Sequence, residues 1–163
     1  MIHFNKLTSF TELMTGRSLA SFSKVLSFGA VNDELDVNAR LALAAEARLI
    51  KIERLRMGAD EPFALETCYL SAVDVPGLTR SSLASGSLFS MLQRDYGVQL
   101  SYADEEVDAT AADSKTSQLL NIPRSLPLLR IRQVIYSTKA KAMMYVLGLY
   151  RSDRHTLLIR RFR

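Results

Sequence analysis

The stretch LIKIERLRMGADEPFALETCYL (Leu49–Leu70) reads as two extended runs either side of a turn. In the first run Ile50 and Ile52 alternate with Lys51 and Glu53, the period of a half-buried strand. Gly58, Ala59 and Asp60 supply turn chemistry, and the run from Pro62 to Leu70 returns, so an antiparallel hairpin is predicted. Arg54 and Arg56 are two residues apart on the first strand, which projects both guanidinium groups from one face. Leu55 then points the other way, into a core. Pairing across the turn brings Glu66 onto the arginine face.

On the N-terminal side, Ser9-Phe10-Thr11-Glu12 fits a capping box, predicting a short helix that ends near Gly16. Phe22 to Phe28 reads as a strand. Val37, Leu41 and Ala44 recur at helical spacing after Asp36, predicting a helix through VNARLALAA. On the C-terminal side, Ser85-Gly86-Ser87 leads into LFSMLQRDYG, a helix with Leu88, Met91 and Leu92 on one face and Gly97 as C-cap. Val98–Val107 reads as a strand and Asp113–Leu120 as a short helix closed by Asn121 and Pro123. Leu128–Tyr136, Met143–Tyr150 and Thr156–Phe162 read as three further strands. Hairpin-like ordering of about six or seven strands with about four helices gives the class α+β, a mostly antiparallel sheet flanked by helices.

Composition narrows the function classes. The chain has 163 residues, 48% hydrophobic and 23% charged, which fits one ordinary globular domain and excludes a disordered tail or low-complexity scaffold. The single cysteine, Cys68, excludes an internal disulfide and a cysteine metal site, and points to a reducing compartment. Two histidines, His3 and His155, fall in no metal-ligand spacing, so neither metal nor cofactor is expected. No apolar run approaches the ~20 residues that span a bilayer, and MIHFNKLTSF lacks the features of a signal peptide, so a cytoplasmic location is expected. With 21 basic and 17 acidic residues the formal charge is +4. The positive charges are spread along the chain apart from Arg160–Arg163, and no DNA-reading motif accompanies them.

Two features carry chemistry. Converging guanidinium forks at Arg54 and Arg56 suit a phosphate or carboxylate through charge-assisted, bidentate hydrogen bonds. The Ser85-Gly86-Ser87 turn, where a helix begins, offers free N–H groups and the Ser87 hydroxyl to an anion. Each has a plainer alternative: strand arginines as a solvated face, Glu66 as their charge partner, and Ser87 as an N-cap. Cys68 reads as a small buried apolar residue, His155 as a surface or half-buried residue, and Asp153 as tying its turn to local backbone N–H groups. The acidic run Asp104, Glu105, Glu106 and Asp108 reads as a solvated strand edge.

Five segments resemble, in order, the effector-binding UTRA domain of GntR-type transcription regulators, in the branch with histidine-utilisation and amino-sugar repressors. They are LTSFTELMTGRSLASFSKVLS (Leu7–Ser27), IERLRMGADEPFALETCYL (Ile52–Leu70), GSLFSMLQRDYGV (Gly86–Val98), LLNIPRSLPLLRIRQVIYS (Leu119–Ser137) and YRSDRH (Tyr150–His155). The resemblance implies a chorismate-lyase-like fold over residues 1–163. It implies that Arg54, Arg56 and Ser87 grip the anionic end of a small effector, that Thr11 closes over it, and that Glu66 and Tyr150 face the rest. Where many sugar-phosphate-responsive members carry a glutamate, this chain has Met144, which cannot accept two hydroxyl hydrogen bonds. The turn Ser137–Ala142 also lacks the family's usual glycine. The expected protein is a ligand sensor rather than an enzyme, a homodimer, touching DNA only through a winged helix-turn-helix domain that would precede this chain and is absent from it. A lyase-type enzyme and a dimerisation module with a vestigial pocket are the alternatives.

Overall fold

The computed structural model describes residues 2–3, 21–83 and 87–158. The Ser9–Glu12 capping box, Thr11, Ser85, Gly86 and the terminal arginines lie outside the described residues. In chain order the elements are β1 (Ile2–His3), β2 (Ser21–Val31), α1 (Leu35–Arg40), β3 (Leu49–Gly58) and β4 (Glu61–Ser71). A 3-10 turn (Arg80–Leu83), α2 (Leu88–Tyr96), β5 (Leu100–Ala111), α3 (Ser114–Leu120), β6 (Pro127–Ser137), β7 (Ala142–Arg151) and β8 (Leu157–Leu158) follow.

Six strands form one sheet in the order β2-β3-β4-β7-β6-β5, and every neighbouring pair in it is antiparallel. A separate parallel pair joins β1 to β8. The α+β class, the antiparallel sheet of six strands and the flanking helices are therefore as the sequence predicts. The β3–β4 hairpin turns on Ala59 and Asp60, both at positive φ (50° and 66°). That is the twist-matched geometry of a two-residue hairpin loop, here built without glycine at either central position.

One face of the sheet is apolar at one end and ionic at the other. At the apolar end α2 lays Leu88, Met91 and Leu92 on Ile52, Cys68, Leu70, Ile135, Met144 and Val146. Removing each such side chain from water contributes about 1.5–3 kcal/mol, so this helix is held by its stripe more than by its nine residues of propensity. Ser87 caps it and Gly97, at φ 65°, ends it. The opposite face carries two smaller clusters, one under α1 with Leu49, Tyr69, Val134 and Tyr145, the other under α3 with Leu55, Leu65, Leu120 and Leu128.

Two boundaries depart most from the sequence reading. The helix at Val37 stops at Arg40, because Asn38 turns its side chain to the carbonyls of Ala45 and Ala47 (2.7 and 3.2 Å) and Ala42 takes a positive φ of 52°. β5 starts two residues later than Val98 and continues to Ala111, since β6 pairs with it along its whole length. Of the expected strand Thr156–Phe162, Leu157–Leu158 is found in β8, and residues 159–162 lie outside the described residues.

Candidate functional site

Rows of residues across the sheet define the ionic end. The register aligns Arg54, Glu66, Gly148, Ile131 and Val107 in one row over β3, β4, β7, β6 and β5. The row on one side holds Arg56, Ala64, Tyr150, Leu129 and Ala109. On the other side lie Ile52, Cys68, Val146, Gln133 and Glu105. Period-2 alternation puts all of these on the face that α2 covers further along.

Arg54, Arg56 and Glu66 are only 4%, 3% and 5% exposed, so the arginine pair is no solvated face. Arg54 donates through Nη2 to Glu66 Oε1 and, at 3.6 Å, to Cys68 Sγ. Cys68 in turn donates its thiol proton to Glu66 at 3.3 Å. Arg56 sends Nε to within 3.4 Å of Glu66 Oε2 and donates Nη1 to Ser23 Oγ on β2. Two guanidinium groups thus share one carboxylate. Among the described residues, the buried Nε of Arg54 has no hydrogen-bond partner.

The electrostatics follow from burial and charge. Burial alone would push the Glu66 carboxyl up, but Arg56 and Arg54 outweigh it and hold the group down at about 2. Burial works against the Arg54 cation too, and Glu66 more than offsets it, leaving that guanidinium raised. Arg56 is drawn below its ordinary value by burial, with Arg54 adding repulsion. Burial pushes the Cys68 thiol up to about 12, so it stays protonated and serves as a donor, not a nucleophile.

Tyr150 belongs to the same floor. A Cβ built on Gly148 would stand 2.4 Å from Tyr150 Cε2, so the ring lies over the glycine and only glycine leaves it room. The ring also meets His155, centroids 4.6 Å apart, and His155 meets Phe63 at 4.5 Å. The turn that returns His155 is fastened by Arg151, bidentate to Asp153 (3.1 and 2.8 Å) and bonded to the Pro62 carbonyl at 3.2 Å. Asp153 thus does more than bond its local backbone; it fixes Arg151. Burial raises the Tyr150 phenol, and Glu66 adds to the effect.

Arg54, Arg56, Glu66 and Tyr150 therefore come together. Ser87 is engaged within its own helix, accepting from Ser90 N at 3.1 Å and donating to Ser90 Oγ at 3.0 Å. Met144, 1% exposed, lies in the apolar cluster beneath α2. Ser23, Cys68 and Gly148 join the site without having been singled out for it from the sequence. For Cys68 the signal was its position two residues after Glu66 on the same strand face. Beside Ser23 an open cleft of about 770 Å³ is lined by Val25, Thr79, Arg80, Ser81 and Leu83. Arg80 bonds the Val25 carbonyl at 2.6 Å, tying the 3-10 turn to β2.

A six-stranded antiparallel sheet with flanking helices is the fold of solved effector domains. The effector domain of PhnF from Mycobacterium smegmatis superposes with a TM-score of 0.91 at 21% identity, covering 99% of this chain and 100% of that one. Residues 17–156 match the UTRA domain model, and the chain belongs to that family. It is 26% identical over 152 residues to the transcriptional repressor NagR of Bacillus subtilis, covering 93% of this chain and 62% of the relative. It is 23% identical over 158 residues to the repressor MngR of Escherichia coli, covering 96% and 65%. The chain thus spans less than two thirds of the length of these curated relatives.

Proposed function

We propose that this chain is the ligand-sensing domain of a transcription regulator and that a small anionic metabolite, phosphorylated or carboxylated, binds over Arg54 and Arg56. One observation carries the reading: two buried guanidinium groups share a single carboxylate, and Ser23, which accepts from Arg56, lines a cleft. The buried Nε of Arg54, without a hydrogen-bond partner among the described residues, is a donor that an arriving anion would satisfy. Thr11 and Ser87 complete the grip in this reading, with Glu66 and Tyr150 against the body of the ligand; the role of Met144 rests on the resemblance alone. The name of the relative NagR, an HTH-type transcriptional repressor, supports coupling to DNA through an attached domain. The winged helix and the homodimer rest on the resemblance, and in this reading ligand and operator affinities change reciprocally. Lyase-type catalysis is the weaker reading, since Glu66 is held ionised between arginines and the Cys68 thiol stays protonated.

A thermal-shift screen of phosphorylated and carboxylated metabolites at matched ionic strength tests this. A selective hit should lose about 2 kcal/mol of affinity, some 30-fold, in Arg54→Ala and in Arg56→Ala. The triple variant Arg54→Met/Arg56→Met/Glu66→Leu, which removes the buried charges together, should keep the fold and bind nothing. Unchanged affinity in these variants, or turnover of the hit, would overturn the proposal.

A further inference from the structure

The cleft beside Ser23 lies on the β2 side of the arginine pair, away from Glu66. Ser23 stands directly opposite Arg56 and Val25 directly opposite Arg54, so both belong to the face that carries the guanidinium groups. Ser23 accepts from Arg56 Nη1, and its own hydroxyl proton finds no acceptor among the described residues. The rest of the lining comes from the 3-10 turn and the residue before it. Thr79 is bonded hydroxyl to hydroxyl with Ser81 and Ser82, at 2.8 and 2.9 Å. Arg80 donates from Nη2 to the Val25 carbonyl and meets no carboxylate among the described residues. A guanidinium carries five N–H donors, so most of those on Arg80 remain for a ligand.

The charge in this cleft is of one sign. Among the described residues its lining holds Arg80, three hydroxyls and two apolar side chains, and no acid. Glu53, beside Arg54 in sequence, leaves by the opposite face, where Ser27 and Lys115 hold it. The acids of β5 are across the sheet. Glu105 is bonded to Gln133, and Glu106 and Asp108, on the other face from Glu105, are paired with Arg132 and Arg130. On the β4 side of the arginine pair the Glu66 carboxylate repels a second negative group, so such a group is directed towards β2. The reach is short. Ser23 and Val25 are two residues apart on one strand, about 7 Å, and Arg56 is bonded at the first and Arg80 at the second.

We propose that Arg80 receives a second anionic group of the ligand, with the Ser23 and Ser81 hydroxyls as further donors. The ligand is then a small molecule with an anionic group at each end, a dicarboxylate or a phosphorylated carboxylic acid. This rests on the reading of Arg54 and Arg56 as the anion grip. Charge-assisted, forked donation by Arg80 suits a carboxylate, and a cleft without acceptor-only groups disfavours an amine.

Matched ligand pairs separate the two claims. The probes are glutarate against pentanoate, and 4-phosphonooxybutanoate against butyl phosphate, titrated calorimetrically into the chain at matched ionic strength. Each pair differs only in a terminal carboxylate replacing a methyl group. In at least one pair the doubly anionic member should bind on the order of tenfold more tightly. Arg80→Gln, at an exposed position, should erase the preference while the methyl-ended member binds as before. Arg80→Lys, which keeps the charge, should retain part of it. Equal binding within every pair, or a preference that survives Arg80→Gln, overturns the second-anion assignment and leaves the anion grip standing. If no member of either pair binds, the anion grip fails and this inference with it.

Discussion

Glu66→Gln is the substitution that probes the ionic floor most sharply. In the folded chain the carboxyl is held at about 2 against an ordinary value of 4.5, because burial is outweighed by Arg56 and Arg54. A shift of that size corresponds to about 3 kcal/mol. Leaving two buried guanidinium groups without their carboxylate costs a similar 3–5 kcal/mol in general experience, so about 3 kcal/mol is expected for the near-isosteric amide. For a chain of this size that lowers the melting temperature by roughly 6–12 °C at pH 7. Because the folded value lies below the unfolded one, the stabilisation is fully present above about pH 4.5 and fades as pH falls towards 2. The wild-type chain should therefore lose stability over that window, and the variant should lose less. Phosphate at constant ionic strength should raise the melting temperature of the variant more than that of the wild type, since it supplies the missing negative charge. The assay is calorimetric melting of both chains between pH 3 and 7. Melting temperatures within 2 °C of each other throughout would refute the reasoning.

Three further substitutions test other links. Ala140, in the turn where the family's glycine is missing, has φ 56°, so Ala140→Gly should stabilise by about 0.5–1 kcal/mol in denaturant titration; a lower midpoint would contradict this. Gly148→Ala drives a methyl into Tyr150 Cε2, so the ring should move and binding at the arginines weaken while the chain stays folded. An unchanged near-ultraviolet spectrum with unchanged affinity would remove Tyr150 from the floor. Met144→Glu places a carboxylate under α2 among Ile52, Leu70 and Leu92, and should cost at least about 3 kcal/mol; a stable variant with altered ligand preference would instead place that side chain in the pocket.

The hairpin at Leu49–Leu70 was legible because alternation, turn chemistry and strand length agreed, and its register delivered Arg54 opposite Glu66 as read. Burial of the arginines was not legible. A guanidinium is ordinarily exposed, and these two are buried against Glu66 on β4 and, for Arg56, Ser23 on β2, a strand distant in sequence. Tyr150 entered the site through resemblance alone, and His155 was read only as a surface or half-buried residue. Their physical basis, a ring over Gly148 closed by a turn that Arg151 and Asp153 fasten, requires the β4–β7 pairing. The helix at Val37 was overextended because its apolar spacing continues through Ala44 while the tertiary contacts of Asn38 end it earlier. Glu105 was grouped with its acidic neighbours because a sequence run does not show that alternate residues leave by opposite faces with different partners.

Ligand-observed NMR of butyl phosphate and pentanoate, mixed with the wild-type chain and with the Arg54→Met/Arg56→Met/Glu66→Leu variant, tests most directly whether the buried arginine pair is an anion site. Line broadening of at least one ligand by the wild-type chain, absent with an equally well-folded variant, is the expected result. Equal broadening by both chains, or none by either, would contradict it.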